Sequence, residues 1–498
     1  MRRIIVAVLI LVLLLGVVPV GIGKLAESRL NAGLDRFIER APYLSIVERK
    51  WTPGWFRSEQ EVTLEVLGPW MRALNPATVM DEIKKAQPAQ AHVAGAGTPD
   101  AVADGAAPPA GNGPVAAAAE PVKPLRFTLR NEILHGPVLW PTSFGIARVN
   151  TRLVMTEQIR KELMELFGTD EPVRVSSRVG FFGGGTTTFS GDAHVMKITN
   201  QPGALSWDAF KLDISYSRNL DDVDADGEWP RFEFHNSASG ESLLLRDMTL
   251  TSSSERIHGD LYDTDCRLAI AELRMVSADH SETDLANVYY TADTNLDDDF
   301  LDVTTRLGSG AVKNRALSDI DVQVREIHYD FTLRRLHAAT LEKMMAAFKA
   351  SYRQPVADAA AVDAAVTAPM KEYGLALLKH DPELVIDRIG IVTPEGEGFM
   401  KGLIRLRGVN DQDLAIGAMA LLKKVEADIA IDLPQKMIEK FPSGAATAAT
   451  AINGGYASWK GDRLLSRIEF KHGELKINGK AQGIPGVGGP PPPPPTPE

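Results

Sequence analysis

The most pointed chemical pattern in the chain is DVDADGEWPRFE, residues 222–233. It fits the calcium-loop spacing D-x-D-x-D-G-x5-E letter for letter. Asp222, Asp224 and Asp226 would supply hard oxygen ligands, Gly227 the sharp turn, and Glu233 a bidentate carboxylate. The flanks are strand-like where a calcium-binding helix pair would need helices, and Trp229 and Pro230 enlarge and stiffen the centre of the loop. A solvated acidic turn between strands is therefore the competing reading. A second acidic run at Asp297, Asp298 and Asp299 lacks the spacing.

Other reactive residues form no recognised constellation. None of the 10 histidines stands in an H-E-x-x-H pair, and no G-x-S-x-G elbow occurs. Cys266 is the one cysteine, so it cannot close an internal disulfide, and no Cys or His neighbour gives it a zinc-site context. The glycines of FFGGGTTT, Gly183 to Gly185, lack the Gly-Lys-Ser/Thr that completes a phosphate loop and read as a flexible hairpin turn. The chain is thus expected not to be an enzyme and to need no cofactor beyond the calcium candidate. With a net charge of -11 it has no basic footprint for a phosphate backbone, so nucleic acid is not expected as a partner.

The elements that would position any site are mainly strands. The 498 residues, 44% hydrophobic and 24% charged, can bury a large core. Phe210, Leu212, Ile214 and Tyr216 alternate with Lys211, Asp213 and Ser215, which is the period of a half-buried strand. The same alternation holds for residues 425–433, and for residues 464–477 around a turn at His472-Gly473. In DVQVREIHYDFTL the apolar parity changes between Val324 and Ile327, which predicts a β-bulge there. Helices are predicted over residues 156–167, capped by Thr156, over 337–350 and over 415–424.

The N-terminus sets the expected location. Arg2 and Arg3 precede a run without charge that opens at Ile4 and closes at Ile22, long enough at about 1.5 Å per residue to approach a ~30 Å bilayer core. An uncleaved membrane anchor is expected, with a cleaved signal peptide as the other possibility. No second span follows, so the large C-terminal body is expected in the periplasm, beyond the inner membrane. Residues 25–38 carry Leu30, Leu34, Phe37 and Ile38 at helical spacing, followed by a stop at Ala41-Pro42. Beyond it, VERKWTPGWFRSEQEVTLEV reads as a β-hairpin. Trp51, Trp55 and Phe56 flank its turn, either as core or as an interfacial belt.

The Leu-Asp-Arg-Phe helix, the Gly-Trp-Phe turn with Ser58, the V-x-L-x-V strand, and the closing GGYASWKGDRLLSRIEFKHGELKINGK resemble the YdgA-like family of bacterial envelope proteins. That resemblance implies a domain of unknown function. A weaker likeness, of architecture alone, connects it to AsmA-like proteins with an apolar groove.

The expected fold class is α+β: one N-terminal transmembrane helix, then a mainly antiparallel β-sheet body with a few helices packed on it. Its expected parts are a cytoplasmic tail (residues 1–3), an anchor (4–23), an amphipathic helix and first hairpin (24–85) and a disordered Ala/Gly/Pro insertion (86–124). A β-rich body (125–335), helices and strands of the same body (336–440), a closing hairpin (441–485) and a proline-rich tail (486–498) complete it. The expected function is a membrane-anchored envelope protein that binds lipid or a protein partner along a long sheet. A calcium-binding module and an envelope hydrolase of unrecognised type are the alternatives.

Overall fold

A computed structural model describes residues 18–66, 125–135, 138–139, 143–198, 203–353, 364 and 367–483. Nearly all of the strands join one antiparallel sheet of 23 strands. Most neighbours in space are neighbours in sequence. From Leu44–Thr52 the chain winds back and forth through Asp222–Asn236, Ser242–His258, Leu261–Val276 and Glu282–Asp297 to the closing strands Arg463–Lys471 and Glu474–Ile477. The central arms are longer than ordinary strands of 3–10 residues. Their turns fall on polar tips such as Asp297-Asp298-Asp299, where Asp298 takes a left-handed φ of 52°.

Two small buried clusters mark the two ends of this meander. Near the N-terminus, Ala26 of the helix Val18–Arg40 packs with Ile133, Ile146, Ala147 and Val149, and Ile22, Leu30 and Trp51 close around them. Near the C-terminus, Ile438, Ala448, Ala457 and Leu464 form the second. The N-terminal helix lies across the sheet as a strap. Its Gly23 meets the His135 ring so closely that an added Cβ would sit 2.8 Å from Cε1. At its far end Arg40 donates to the carbonyls of Asn219 and Leu220, each at 2.6 Å, and to the Tyr262 hydroxyl. From Gly23 to Arg40 the helix covers roughly 26 Å. A flat sheet would need roughly 34 Å for the strands between His135 and Tyr262 at about 4.8 Å each. The outstretched Arg40 side chain spans most of the difference.

The expected fold class is corrected in two respects. The described molecule is mostly one large antiparallel sheet, in place of the expected α+β body behind a transmembrane helix. The arms of residues 222–297 are single strands of 15 to 17 residues. The second correction concerns the expected transmembrane helix: among the described residues no helix is long and apolar enough to cross a membrane. Residues 4–17 of that expected span lie outside the described residues, and the described helix Val18–Arg40 carries charges along its length, from Lys24 to Arg40. The expected insertion over 86–124 and the tail from 486 also lie outside the described residues.

Local expectations fare unevenly. Thr156 caps the helix Glu157–Phe167 by accepting from the Ile159 amide, and Gly180 to Gly184 form the predicted hairpin turn. The helix expected over 415–424 is two short ones, Asp411–Ile416 and Ala418–Leu422, broken at Gly417. The bulge expected between Val324 and Ile327 is absent, because Val324 belongs to an isolated bridge with Val312 and the strand begins at Glu326. Irregular pairing occurs later, opposite Leu301 and Val303 and beside Asp330.

Candidate functional site

Residues paired across an antiparallel ladder share a sheet face, so the register shows what each face carries. Beginning at Leu250, successive partners are Leu268, Tyr290, Leu307, Tyr329, Ile389, Met400 and Ile431. The row beside it runs Ser252, Cys266, Ala292, Thr305, Phe331, Ile386, Gly402, Ile429, Ile468 and Ile477. A third runs Ser254 and Thr264, whose amide donates to the Thr294 hydroxyl, then Thr294, Val303, Leu333, Leu384, Ile404, Ala427 and Phe470. No charged residue occurs in any of the three rows. They form an apolar lane of roughly 34 Å from Leu250 to Ile431.

The lane is open in its centre. Tyr290, Leu307, Tyr329 and Leu333 are 38%, 45%, 45% and 44% exposed. Contiguous exposed apolar surface costs about 25 cal/mol per Å² in water, and on a folded protein it marks a contact surface. At the C-terminal end the lane runs into a cleft of about 590 Å³ between the strands and the helices Gln435–Lys440 and Gly444–Asn453. Ile431, Ile468 and Ile477 belong to both, and Leu433, Phe441 and Leu464 add to the apolar lining. At the N-terminal end the first row turns polar. Thr151 donates to Asn131, Asn131 to Gln60, and Gln60 to Asn31 of the N-terminal helix, at 2.7, 2.9 and 2.8 Å. That ladder docks the helix and closes this end of the lane.

The opposite face of the sheet carries the three aspartates of the calcium candidate. Asp222, Asp224 and Asp226 alternate along the strand Asp222–Asn236, all exposed. Asp226 faces Asp213 and Thr251, and Asp224 faces Ser215 and Ser253. Hydroxyl groups and a lysine answer these carboxylates: Ser253 donates to Asp224 at 2.7 Å. Lys211 hydrogen-bonds Asp213 and holds its carboxyl below the usual carboxylate range, with Thr188 donating as well. Glu233 is ion-paired with Arg231, on the other parity, and lies roughly 23 Å along the strand from Asp226. The segment is therefore a strand where a calcium loop needs a tight coil that brings all four carboxylates to one point. A wet strand face with an acid at every second position reproduces the first half of the motif. Among the described residues no group of three or more His, Cys, Asp or Glu side chains is placed to hold a metal ion. Adding calcium is expected to leave the thermal unfolding midpoint unchanged. A rise of several degrees that disappears in Asp224→Ala would restore the calcium reading.

One pair missed in the sequence has the residue types of a nucleophile and its base. Ser58 Oγ lies 3.0 Å from His135 Nε2. Both residues are buried, at 2% and 3% exposure, beneath Gly23 of the N-terminal helix, and Ser58 also accepts from the Gly54 amide at 3.2 Å. No substrate can approach them there, and the pair serves to seat the helix.

A family model described as a bacterial protein of unknown function, DUF945, matches residues 1–483. No curated protein and no solved structure matches the chain.

Proposed function

From the premise that the chain belongs to DUF945, a bacterial family of unknown function, we propose that it binds the hydrocarbon chain of a lipid along the apolar lane and in the C-terminal cleft. The observation that carries this reading is the alignment of three uncharged rows on one sheet face, half-exposed in the middle and continuous with the cleft. A hydrocarbon chain suits such a surface because it brings apolar area and no hydrogen-bonding group that the lane would leave unpaired. The headgroup would remain beyond the lane, so the chain, and not the polar end, is what the site selects. The YdgA-like character of the two ends, and the basic and then uncharged leader, support work in the bacterial envelope, on the periplasmic side of the inner membrane.

The test is native mass spectrometry of full-length protein purified gently from bacterial membranes, with a similar-sized soluble domain as control. Retained lipid in near-stoichiometric amount is the expected result. Lipid at no more than control levels would refute the reading.

A further inference from the structure

The geometry points to a second lipid contact, independent of the lane: one end of the sheet is a docking rim for an anionic phospholipid bilayer surface. Two hairpin tips lie at that end. Arg57, which follows the first tip, pairs with Leu134, whose neighbour His135 pairs with Ala147, and Ala147 pairs with Val179, which precedes the second. The tips are thus roughly 14 Å apart on the same edge. The first presents Trp55 and Phe56 at 55% and 47% exposure, and the second presents Phe181 and Phe182 at 41% and 91%. Neither tip carries a charge from residue 53 to 56 or from 180 to 184.

Both tips are held firmly by backbone. The His135 amide donates to the Phe56 carbonyl at 3.0 Å. Gly180 and Gly184 close the second tip at 2.8 Å, and Gly183 adopts a left-handed φ of 92° with the Arg218 side chain laid against it. Exposed aromatic rings on rigid, uncharged tips are the chemistry of the headgroup region, where an apolar ring body and its polar edge are both satisfied.

Charge selects the surface. Arg148 and Arg178 face each other on neighbouring strands just behind the second tip, both exposed, and Arg218 is exposed beside it. Among the described residues these three make no ion pair within 4.0 Å; Asp213 is the carboxylate that feels the Arg178 charge, and Arg148 and Arg178, directly opposite each other, repel. An anionic headgroup layer would relieve that repulsion. The described N-terminal helix also meets the sheet at this end, where Gly23 lies against His135.

The test uses full-length protein in a Cys266→Ser background, with a fluorescent thiol label placed in turn at Phe182→Cys, Trp55→Cys and, on the opposite end of the sheet, Ala238→Cys. Each is mixed with phosphatidylethanolamine–phosphatidylglycerol vesicles bearing a lipid-attached quencher. Emission at positions 182 and 55 is expected to fall by at least half, with position 238 unchanged. The fall at 182 and 55 should be lost when phosphatidylcholine replaces phosphatidylglycerol in a variant with Arg148→Ala and Arg178→Ala. Failure to associate with vesicles, equal quenching at all three positions, or iodide-accessible labels at 182 and 55 on bound protein would each overturn the proposal; the last result would assign the rim to a protein partner. Lipid retention in the lane is read separately, by mass spectrometry, so either contact can fail alone.

Discussion

Leu307→Glu is expected to strip the retained lipid from the purified protein, lowering occupancy at least about tenfold while leaving the fold in place. Leu307 stands in the middle of the lane between Tyr290 and Tyr329 and is 45% exposed. In the empty protein a glutamate there stays hydrated, and a substitution at a half-open position typically changes stability by about 0.5 kcal/mol. With a hydrocarbon chain laid over it, the carboxylate would lose its water and gain no partner, a cost of several kcal/mol, of which about 1.4 suffices for tenfold. Thr291→Glu is the matched control. Thr291 is next to Tyr290 but on the charged face, opposite Arg267 and Arg306, so the same new charge finds favourable neighbours and should leave lipid occupancy unaltered. Equal loss in both variants would mean that charge in general, and not charge in the lane, disturbs binding.

The second large effect concerns the strap. Arg40→Ala is expected to lower unfolding free energy by about 2–3 kcal/mol in urea titration, because one guanidinium serves the Asn219 and Leu220 carbonyls and the Tyr262 hydroxyl together. Those acceptors belong to a turn and a strand far from the helix in sequence, so their loss frees the C-terminal end of the helix from the sheet. Hydrogen exchange in the helix Val18–Arg40 should accelerate more than exchange in the strands Val425–Pro434 and Arg463–Lys471. Arg40→Lys should recover only part of the loss, since an ammonium lacks the planar fork that reaches several oxygens at once. A change below about 0.5 kcal/mol in Arg40→Ala would show that the helix is held without Arg40, by the Ala26 and Leu30 contacts and the Asn31–Gln60 hydrogen bond.

Much of the local structure was legible because it depends on short-range chemistry. The alternation in residues 210–216 and 425–433, the His472-Gly473 turn, the Thr156 cap and the stop after Arg40 at Ala41-Pro42 all follow from side-chain period, turn residues or capping groups. The lane itself was not legible. Each strand announces which of its own residues alternate, but nothing local states that Leu268 stands beside Tyr290 and Leu307. That requires the register, which is set by turns and irregularities such as the one beside Asp330, and one slip would move every side chain to the other face. The aspartate pattern of residues 222–226 misleads for the same reason. Period-two acids suit a wet strand as well as a calcium loop, and only the pairing with Ser253 and Thr251 distinguishes them. Of the hairpin aromatics, Trp51 joins the N-terminal cluster, and Trp55 and Phe56 are exposed.

The central claim is that a hydrocarbon chain lies on the uncharged face, and the most direct measurement is where such a chain cross-links. Full-length protein would be loaded with a fatty acid carrying a diazirine in its chain, irradiated, digested and mapped by mass spectrometry. Adducts are expected on Leu268, Tyr290, Leu307, Tyr329 and Ile431 and in the cleft at Phe441 and Leu464. Adducts on the charged face around Asp224 and Arg267, or none above an unloaded control, would contradict it.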